Sequence, residues 1–552
     1  MQLNGCQILI ETLVEQGVTT VFGYPGGQVL NIYDELYKNK DRLTHVLTAH
    51  EQGASHAADG YSRSSGKVGV CIATSGPGAT NLITGLATAH ADSIPMIAIT
   101  GNVPMDFIGT DSFQEVDTIG LSIPVTKHSF LVKDIADLAF TLREAFKVAQ
   151  SGRPGPVLVD IPKNVQLDVT EYEILGKVKK APDPLPSEKL LAQALPIIKE
   201  SGRPIIYCGG GILNGDCHKE LLELAEKLDA YVAFSMMGLT SMSCEHPKYL
   251  GMCGMHGRYA ATKAVSSADL IIAAGVRFTE RATGNKQKFA EQANIIHLDI
   301  DPAEHGKNID ATLAIQGHLG TALSYLAHNS EKKNNTTWVS TVEAFKRNAQ
   351  IATSPDNLLM PWEVIKAVNE KASPETIIAT DVGQHQMWVA QYYNFKAPRT
   401  HLTSGGLGTM GYGMGAAIGA TMATGKKTVL FTGDGSFGMN LNELATAVSE
   451  KLPLVVVILN NGVLGMIRQW QGLFFDNHYM ATILERKTDF VKLSEAFGTK
   501  GFRVSNIGDL NNALDVAFKE TTPVVIDCLI PEEENVFPMV PPNGSLDNII
   551  MK

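Results

Sequence analysis

The chain has 552 residues, a length that corresponds to about three or four domains. Its 46 Lys and Arg against 57 Asp and Glu give a net charge of −11, which argues against nucleic acid or an anionic membrane surface as the main partner. A hydrophobic content of 44% with 19% charged residues excludes wholesale disorder and predicts a folded chain with a large core.

The cysteines and the N-terminus bear on the compartment. The seven Cys are scattered, odd in number and without a Cys-x-x-Cys pair, which argues against a disulfide framework or a zinc site and favours a reducing compartment. The first 17 residues, MQLNGCQILIETLVEQG, are expected to form an amphipathic helix and do not resemble a signal peptide. No apolar run approaches the ~18 residues that a membrane helix needs. We therefore expect a cytoplasmic protein.

Short apolar runs alternate with helical patterns along most of the chain. The runs do not alternate in polarity, so both faces of each strand should be buried, as in parallel sheets covered by helices. This pattern predicts an α/β fold with mostly parallel sheets. The predicted strands lie at 69–74, 96–101, 156–162, 204–209, 269–275, 376–383, 428–434, 453–461 and 523–530.

Two polar segments suggest linkers between domains. VKKAPDPLPSEK (178–189) contains three Pro, and HNSEKKNNTTW (328–338) is polar throughout. They divide the chain into an N-terminal domain 1–175, a central domain 188–330, a C-terminal domain 355–530 and a tail 531–552. The first and third of these share a plan, in which a Gly-rich loop leads from a strand into a helix. The tail is rich in Pro and acidic residues and is expected to be a lid or a loose terminus.

A Gly-rich loop in the third domain matches a dinucleotide-binding fingerprint. Gly406-x-Gly408-x-x-Gly411 follows a predicted strand, and the acidic Asp434 lies 23 residues after the last glycine. In that fingerprint the glycines let a pyrophosphate approach a helix N-terminus. Because such patterns also arise by chance, a nicotinamide-dependent dehydrogenase is one alternative and not the main hypothesis.

The residues around Asp434 favour a different cofactor. GDGS (433–436) follows one predicted strand, and Asn461 closes the next, 27 residues after Asp434. Side-chain oxygens at the ends of two neighbouring strands suit Mg²⁺, which is usually shared with phosphates. The N–H groups that follow Gly435 would suit a diphosphate. The alternative is an ordinary β-turn followed by an Asn-rich loop.

Ten motifs in order identify a family. The GDGS…NN pair resembles the diphosphate and metal motif of thiamine-diphosphate enzymes. The other motifs are FGYPGG (22–27), HEQGA (50–54), ATSGPGATN (73–81), GTDSFQE (109–115), GRPGPVLVDIPK (152–163), GMHG (254–257), DVGQHQMW (381–388), SGGLGTMGYG (404–413) and LGMIRQWQ (464–471). Together they resemble the catalytic large subunit of acetohydroxyacid (acetolactate) synthase, over about residues 4 to 542.

The resemblance implies the residues of a thiamine-diphosphate and Mg²⁺ site. Glu51 would hydrogen-bond the pyrimidine ring, so that the cofactor serves as its own base. Met410 would hold the cofactor in a bent shape that brings its reacting groups together. The diphosphate would be held by Gly383, Gln384, His385, Gly408, Gly435 and Ser436, and the metal by Asp434, Asn461 and Val463.

The resemblance also implies a substrate pocket. Arg281 would receive the carboxylate of a second 2-ketoacid, because a guanidinium fits a carboxylate. Trp470 would favour the ethyl group of 2-ketobutyrate over the methyl group of pyruvate. The remaining pocket residues would be Phe113, Gln114, Lys163 and Met466. For Trp470 the alternative is a core aromatic residue, and for Arg281 it is a surface ion pair.

The middle domain would hold FAD, which in this family is not needed for redox turnover. The implied contacts are Arg153, Gly209, Gly210, Gly211, Met255, His256, Gly257 and Arg277. The chain departs from the family pattern at GVRFTER (275–281), where GARFDDR is common, and at Gly317-His318, where Gly-Asp is common. Arg277 and Arg281 are retained, so FAD stays the expectation.

The implied reaction is decarboxylation of pyruvate and condensation of its hydroxyethyl unit with pyruvate or 2-ketobutyrate. The products are 2-acetolactate and 2-aceto-2-hydroxybutyrate, in the first common step of branched-chain amino-acid biosynthesis. The resemblance further implies a homodimer or tetramer with an active site between chains, and a separate small regulatory subunit. The main alternative is a flavin-free catabolic acetolactate synthase or a pyruvate oxidase, and a non-catalytic binding protein is another.

Overall fold

A computed structural model describes residues 1–349, 358–486 and 488–551. It contains three six-stranded sheets in which all neighbouring strands are parallel, each flanked by helices. The predicted α/β class and three-sheet architecture are therefore confirmed. All nine predicted runs are strands, and their residues are almost all buried, because a parallel sheet covered on both faces exposes neither side of its strands.

The N-terminal domain is built on one sheet with the strand order β3-β2-β4-β5-β7-β6. The strands of the domain are β1 Gln2–Asn4, β2 Thr20–Gly23, β3 Thr44–Leu47, β4 Gly69–Ala73, β5 Met96–Asn102, β6 His128–Leu131, β7 Pro156–Pro162 and β8 Val169–Glu171. Its helices are α1 Gly5–Glu15, α2 Leu30–Lys38, α3 Glu51–Ser65, α4 Pro77–Asp92, α5 Thr118–Ser122, α6 Ile135–Gln150 and α7 Lys163–Leu167.

The start of the chain corrects one expectation. The first residues form β1, which pairs antiparallel with β8, and only then does α1 begin. The side chain of Asn4 accepts a hydrogen bond from the Gln7 N–H, while the Gln7 side chain accepts one from the Asn4 N–H. This reciprocal cap satisfies two N–H groups at the helix start and fixes it at Gly5.

The central domain has the strand order β11-β10-β9-β12-β13-β14. Its strands are β9 Pro204–Cys208, β10 Tyr231–Phe234, β11 Tyr249–Met252, β12 Leu270–Ala274, β13 Asn294–Asp299 and β14 Leu313–Gln316. Its helices are α8 Glu188–Glu200, α9 Gly211–Asn214, α10 His218–Lys227, α11 Tyr259–Ser267, α12 Glu280–Thr283, α13 Leu319–Asn329 and α14 Thr336–Asn348. The order reverses between β9 and β12, so the loops after these two strands open a crevice.

The C-terminal domain repeats the strand arrangement of the N-terminal one, with the order β16-β15-β17-β18-β20-β19. Its strands are β15 Ile377–Thr380, β16 His401–Leu402, β17 Thr428–Gly433, β18 Leu454–Asn460, β19 Lys500–Val504 and β20 Val524–Leu529. Its helices are α15 Pro361–Lys371, α16 Gln384–Tyr392, α17 Tyr412–Thr424, α18 Asp434–Asn440, α19 Glu443–Ser449, α20 Gly465–Phe474, α21 Phe490–Ala496 and α22 Ile507–Ala517.

The structure differs from the expectations for the second linker and the tail. The polar segment 328–338 includes the start of α14, whose Trp338 is buried in the core of the central domain. The tail is docked, because the Val540 N–H donates to the Met255 carbonyl at 2.8 Å and Val536 and Leu546 are buried. The predicted start of the third domain at residue 355 and the last residue, 552, lie outside the described residues.

The N- and C-terminal domains meet where α3 crosses α17. A Cβ atom on Gly419 would lie 1.8 Å from the Ala57 carbonyl oxygen, and one on Gly60 would lie 2.2 Å from that of Ala416. Only glycine permits this approach, since no Cβ atom separates the two backbones. The crossing fixes α3, which begins with Glu51, against the C-terminal domain.

Candidate active site

Two predicted metal ligands lie together at the carboxyl edge of the C-terminal sheet. β17 and β18 are parallel neighbours, and Asp434 and Asn461 follow their last residues. The Asp434 carboxylate accepts a hydrogen bond from the Gly462 N–H at 3.0 Å, and burial raises its pKa to about 6. Asn461 Oδ1 accepts from the N–H of Val463, the third predicted ligand, at 3.3 Å. The oxygens of this corner fit a hard cation.

The start of α16 lies against the same corner. Asn461 Nδ2 donates to Gln384 Oε1 at 3.3 Å, while Gln384 Nε2 donates to the carbonyl of Glu534 in the tail at 3.0 Å. His385 is buried, and its Nε2 has no hydrogen-bond partner among the described residues. Burial lowers the pKa of His385 to about 3, so the ring is neutral. Gly383, which precedes this helix, has a φ of 154° that few other residues adopt.

The Gly-rich loop 403–411 and α18 complete this group. Ser436 Oγ accepts a hydrogen bond from the Gly411 N–H at 3.3 Å, so α18 is tied to the loop that carries Gly408 and Met410. A Cβ atom on the predicted diphosphate ligand Gly435 would lie 2.7 Å from a Leu464 methyl carbon. The unpaired His385 nitrogen, the glycine backbone and the oxygens beside Asp434 form a donor and acceptor set that fits a diphosphate with its cation.

Glu51 lies at the equivalent edge of the N-terminal sheet. It is the first residue of α3, and its Oε2 accepts a hydrogen bond from Asn81 Nδ2 at 2.9 Å. The buried carboxylate of Glu443 holds the preceding turn by accepting from the N–H groups of Ala49 at 3.2 Å and His50 at 2.9 Å. This second carboxylate belongs to the C-terminal domain, so α19 sets the position at which Glu51 begins its helix.

The predicted substrate residues of the N-terminal domain surround the same edge. Phe113 is 85% exposed, and Gln114 has a left-handed backbone with a φ of 62°. The Gln114 carbonyl oxygen would lie 2.8 Å from a Cβ atom on Gly76, just before α4. Lys163 begins α7 directly after β7. No hydrogen bond among the described residues joins Glu51 to Asp434 or Asn461.

A cavity of about 650 Å³ opens at the crevice of the central sheet and extends to the C-terminal domain. This volume is within the range of small-molecule and cofactor sites. Residues predicted to bind the flavin and residues predicted to bind the substrate both line this one cavity. Of the predicted site residues it is lined by Arg153, Gly209, Gly210, Gly211, Met255, His256, Arg277, Arg281, Gly408, Met466 and Trp470. Gly257 is not in its lining and packs on the backbone of Cys253.

The crevice side of the cavity has the features of a dinucleotide site. A Cβ atom on Gly209 would lie 2.1 Å from the Gly275 carbonyl oxygen, so the loops after β9 and β12 meet without side chains. Arg153 donates to Glu304 Oε1 at 2.6 Å, and the other carboxylate oxygen of Glu304 is buried without a partner among the described residues. His256 Nδ1 is also buried and unpaired, and burial lowers the pKa of that ring to about 4. These groups fit a large polar ligand such as FAD.

Arg281 and Trp470 face each other at the other end of the cavity. The Arg281 guanidinium lies 5.3 Å from the centre of the Trp470 ring and donates to Met255 Sδ at 3.1 Å. It also lies 3.6 Å from the Glu280 carboxylate, and both of these side chains are exposed. Trp470 Nε1 is buried without a partner among the described residues. The alternative considered for Arg281, a surface ion pair, is present with Glu280. The Arg281 side chain nevertheless lines the cavity.

Comparisons with known proteins agree with this geometry. Models of thiamine pyrophosphate enzyme domains match residues 3–121 (N-terminal TPP binding domain), 191–326 (central domain) and 381–528 (C-terminal TPP binding domain). An Escherichia coli acetolactate synthase isozyme 2 large subunit is 44% identical over 552 residues, covering 100% of both chains. The chain belongs to the acetolactate synthase large-subunit family. Probable large subunits from Methanocaldococcus jannaschii and Methanococcus aeolicus are 44% and 42% identical, each covering 99% of this chain and 95% of the relative.

The family membership confirms several sequence predictions. The resemblance to acetolactate synthase large subunits and the enzyme class, a thiamine-diphosphate-dependent acetolactate synthase, are both confirmed. The relatives favour the main hypothesis over the flavin-free catabolic synthase, the dehydrogenase and the binding protein. Within the described residues, no helix is long and apolar enough to cross a membrane. The roles of individual site residues and the domain limits stay predictions.

The structure also brings forward candidate site residues of this acetolactate synthase family member that sequence reasoning missed. Asn81 is part of the ATSGPGATN motif, but only the fold shows that it bonds Glu51. Gln469 links Gln384 to the tail, because its Nε2 donates to the Val536 carbonyl at 3.1 Å. His318, one of the departures from the family pattern, lines the cavity and accepts from the Thr321 N–H at 3.2 Å. Gln469 lies within the LGMIRQWQ motif, between the candidates Met466 and Trp470, but only the fold shows its contacts.

Proposed function

We propose that the chain decarboxylates pyruvate and joins the two-carbon unit to a second 2-ketoacid, with thiamine diphosphate, Mg²⁺ and FAD bound. The observation that carries the proposal is the single cavity that connects the glycine loops after β9 and β12 with Gly408, Arg281 and Trp470. A flavin site that is continuous with a guanidinium and an aromatic wall supports the biosynthetic, flavin-containing type of synthase. The acceptor would be pyruvate or 2-ketobutyrate.

Thiamine diphosphate and its cation would be held at the corner of the C-terminal sheet. Asp434, Asn461 and the Val463 carbonyl would bind Mg²⁺, while Met410 would support the ring system of the cofactor. The diphosphate would be bound by Gly383, Gln384, His385, Gly408, Gly435 and Ser436. When bound, the cofactor supplies the electron sink for loss of carbon dioxide from a 2-ketoacid. Glu51 would hold a proton at the cofactor's pyrimidine ring, with Asn81 fixing the carboxylate.

The chain's own side chains would then select the second 2-ketoacid. Arg281 offers a cation to its carboxylate, and the stacked Trp470 keeps the guanidinium in place while shaping the pocket for the alkyl group. Met466 lines the same wall. Phe113, Gln114 and Lys163 would close the site from an N-terminal domain. Because water would compete as a proton donor, exclusion of water by these groups favours condensation over release of the two-carbon unit.

FAD would occupy the crevice side of the cavity as a structural group. Arg153, Arg277, Gly209, Gly210 and Gly211 would face it, and the remaining contacts would come from Met255, His256 and Gly257. Burial, with the charge of Arg153 second, lowers the pKa of Arg277, so the two guanidinium groups suit an anionic ligand.

The proposed assembly rests on the family resemblance and on the placement of the site residues in two domains. Glu51 begins α3 of the N-terminal domain and Asp434 begins α18 of the C-terminal domain, so we propose a homodimer or tetramer in which the N-terminal domain of one chain completes the site of another. The relatives are described as large subunits, which supports a separate small regulatory subunit. The cytoplasmic location remains a prediction from the cysteine pattern.

The test is an assay on purified protein with thiamine diphosphate, Mg²⁺ and pyruvate, with and without FAD. Acetolactate formation that depends on FAD is expected. Product without FAD would favour the catabolic type, and no product even with an added small subunit would refute the proposal. Glu51→Gln should lower the rate by about 100-fold or more, as expected for a group that controls proton transfer. The matched control is Glu331→Gln, because Glu331 is an exposed partner of Lys199.

A further inference from the structure

The loop that carries Gly408 and Met410 is held by side chains of a different domain. We define the α3–α4 clamp as Asp59 and Arg63 of α3 together with Thr88 and Asp92 of α4, all in the N-terminal domain. Asp92 Oδ1 accepts a hydrogen bond from the Gly406 N–H at 2.7 Å, and Asp92 Oδ2 accepts one from the Gly405 N–H at 3.1 Å. The Asp92 side chain is fully buried.

The other members of the clamp hold the rest of the loop. Arg63 Nη1 donates to the Thr403 carbonyl at 2.9 Å, and the Thr88 hydroxyl is hydrogen-bonded to that of Thr409 at 2.8 Å. The Tyr412 hydroxyl donates to Asp59 Oδ1 at 2.7 Å. The loop is thus fixed at both ends and in the middle.

Arg63 also orders the two carboxylates of the clamp. Its Nε donates to Asp59 at 2.6 Å, and its Nη2 donates to Asp92 Oδ2 at 2.9 Å. Charge-assisted hydrogen bonds between buried partners are directional and cannot be replaced by water. The position of the Asp92 carboxylate is therefore determined before any ligand binds.

Gly405 and Gly406 occupy a junction of all three domains. A Cβ atom on Gly406 would lie 2.8 Å from Asp92 Oδ1 and 3.0 Å from the Ala91 carbonyl oxygen. One on Gly405 would lie 2.4 Å from Met237 Sδ of the central domain. Asp92, Gly405 and Gly406 all line the 650 Å³ cavity. The segment that Asp92 holds is thus a wall of the flavin candidate site and the start of the thiamine-diphosphate loop.

We propose that Asp92 is a positioning residue that fixes the Gly405–Gly406 segment, and through it both the thiamine-diphosphate loop and one wall of the flavin cavity. The hydrogen bonds of Asp92 to this loop go to the backbone N–H groups of Gly405 and Gly406, so the proposed effect on the thiamine-diphosphate loop is exerted through the backbone. The inference rests on the proposed function for its flavin part only, since thiamine diphosphate follows from the matched enzyme domains. It predicts that one carboxylate in the N-terminal domain controls the affinity of two different cofactors.

The experiment measures the Kd of thiamine diphosphate in saturating Mg²⁺, and separately the Kd of FAD, by calorimetric titration of the full-length apoprotein. In Asp92→Asn an NH2 donor replaces one of the two oxygens that each accept one N–H group, so each Kd should rise about tenfold, the effect of losing one such hydrogen bond. The matched control is Asp269→Asn. Asp269 likewise accepts from two backbone N–H groups, of Gly202 and Arg203, both at 2.9 Å, but in a turn outside the cavity. Its two Kd values should stay within about twofold of wild type.

A second variant covers the case in which Asp92→Asn does not fold because Arg63 loses a partner. Gly406→Ala keeps every charged group and displaces the segment away from Asp92, because its Cβ would lie 2.8 Å from Asp92 Oδ1, so the same rise in both Kd values is expected. A folded variant with a lower melting temperature but unchanged Kd values would show a merely structural role and would overturn the proposal. If wild type binds no FAD, the flavin part of the proposed function fails. The Kd of thiamine diphosphate alone then decides whether Asp92 is a positioning residue.

Discussion

The crossing of α3 and α17 gives a prediction whose size follows from the structure. In Gly419→Ala the new Cβ atom would lie 1.8 Å from the Ala57 carbonyl oxygen, whereas ordinary contacts begin near 3.4 Å. The obstacle is backbone, so the two helices must separate by about 1.5 Å instead of one side chain turning aside. Overpacking of this kind costs about 1–3 kcal/mol, and a value at the upper end is expected here.

An opposing contribution reduces the loss. Alanine in a helix interior is favoured over glycine by about 0.5–1 kcal/mol, so the net destabilisation should be about 2 kcal/mol. For a domain of this size that corresponds to a melting temperature lower by about 5 °C. Because α3 begins with Glu51, the displacement should also lower kcat/KM for pyruvate.

The assay is thermal unfolding followed by circular dichroism at one scan rate, together with the pyruvate assay. Gly508→Ala in α22 is the matched control, since its Cβ would meet only Asn506 Oδ1, at 3.3 Å, at an exposed position of the helix. The control should melt at or slightly above the wild-type temperature. A Gly419→Ala protein that melts within about 1 °C of wild type, with unchanged kcat/KM, would refute the reasoning about the crossing.

Three further predictions concern single side chains. Burial raises the pKa of Asp160 to about 7. The folded state therefore keeps this proton to a higher pH than the unfolded state does, and stability falls as pH rises from about 4 to about 7. In Asp160→Asn the loss of melting temperature between about pH 5 and about pH 8 should be smaller than in wild type. Trp470→Leu should reduce the preference for 2-ketobutyrate over pyruvate by about 10-fold or more in competition assays, because the pocket wall is lost. Arg153→Ala should raise the Kd of FAD by at least about tenfold in titrations, because it removes a cation and its hydrogen bond to Glu304 from the cavity.

Each of these variants has a contrary outcome, and the Trp470 and Arg153 variants also have a matched control. If the melting temperatures of wild type and Asp160→Asn depend equally on pH, the Asp160 carboxyl is not the source of that dependence. Trp362→Leu, at an aromatic contact with Tyr392, should leave acceptor preference unchanged, and an equal change in both Trp variants would count against a specific pocket. Arg42→Ala removes an exposed pair with Glu11 and should not alter the Kd of FAD. A normal FAD affinity in Arg153→Ala would contradict the assigned crevice.

The strands and the metal corner could be predicted from the sequence because their signals are local. A strand of a covered parallel sheet is buried on both faces, and a run such as 453–461 therefore stands out as continuous apolar residues. Asp434 and Asn461 follow two such runs, and consecutive parallel strands usually lie side by side. The segment 328–338 was predicted as a linker because its polarity is a local signal. The burial of Trp338 depends on residues that are distant in the sequence and was therefore not predicted.

The sequence by itself determined the family, the three parallel sheets and the chemistry available at Glu51, Asp434 and Asn461. Only the tertiary structure decided that Arg281 and Trp470, far apart in the chain, face one cavity with Gly209, Gly210 and Gly211. It also decided that Asp92 of one domain holds a loop of another. The physical reason is that motifs and apolar periodicity record short-range order, whereas a buried carboxylate is satisfied by whichever donors the packing of domains brings to it.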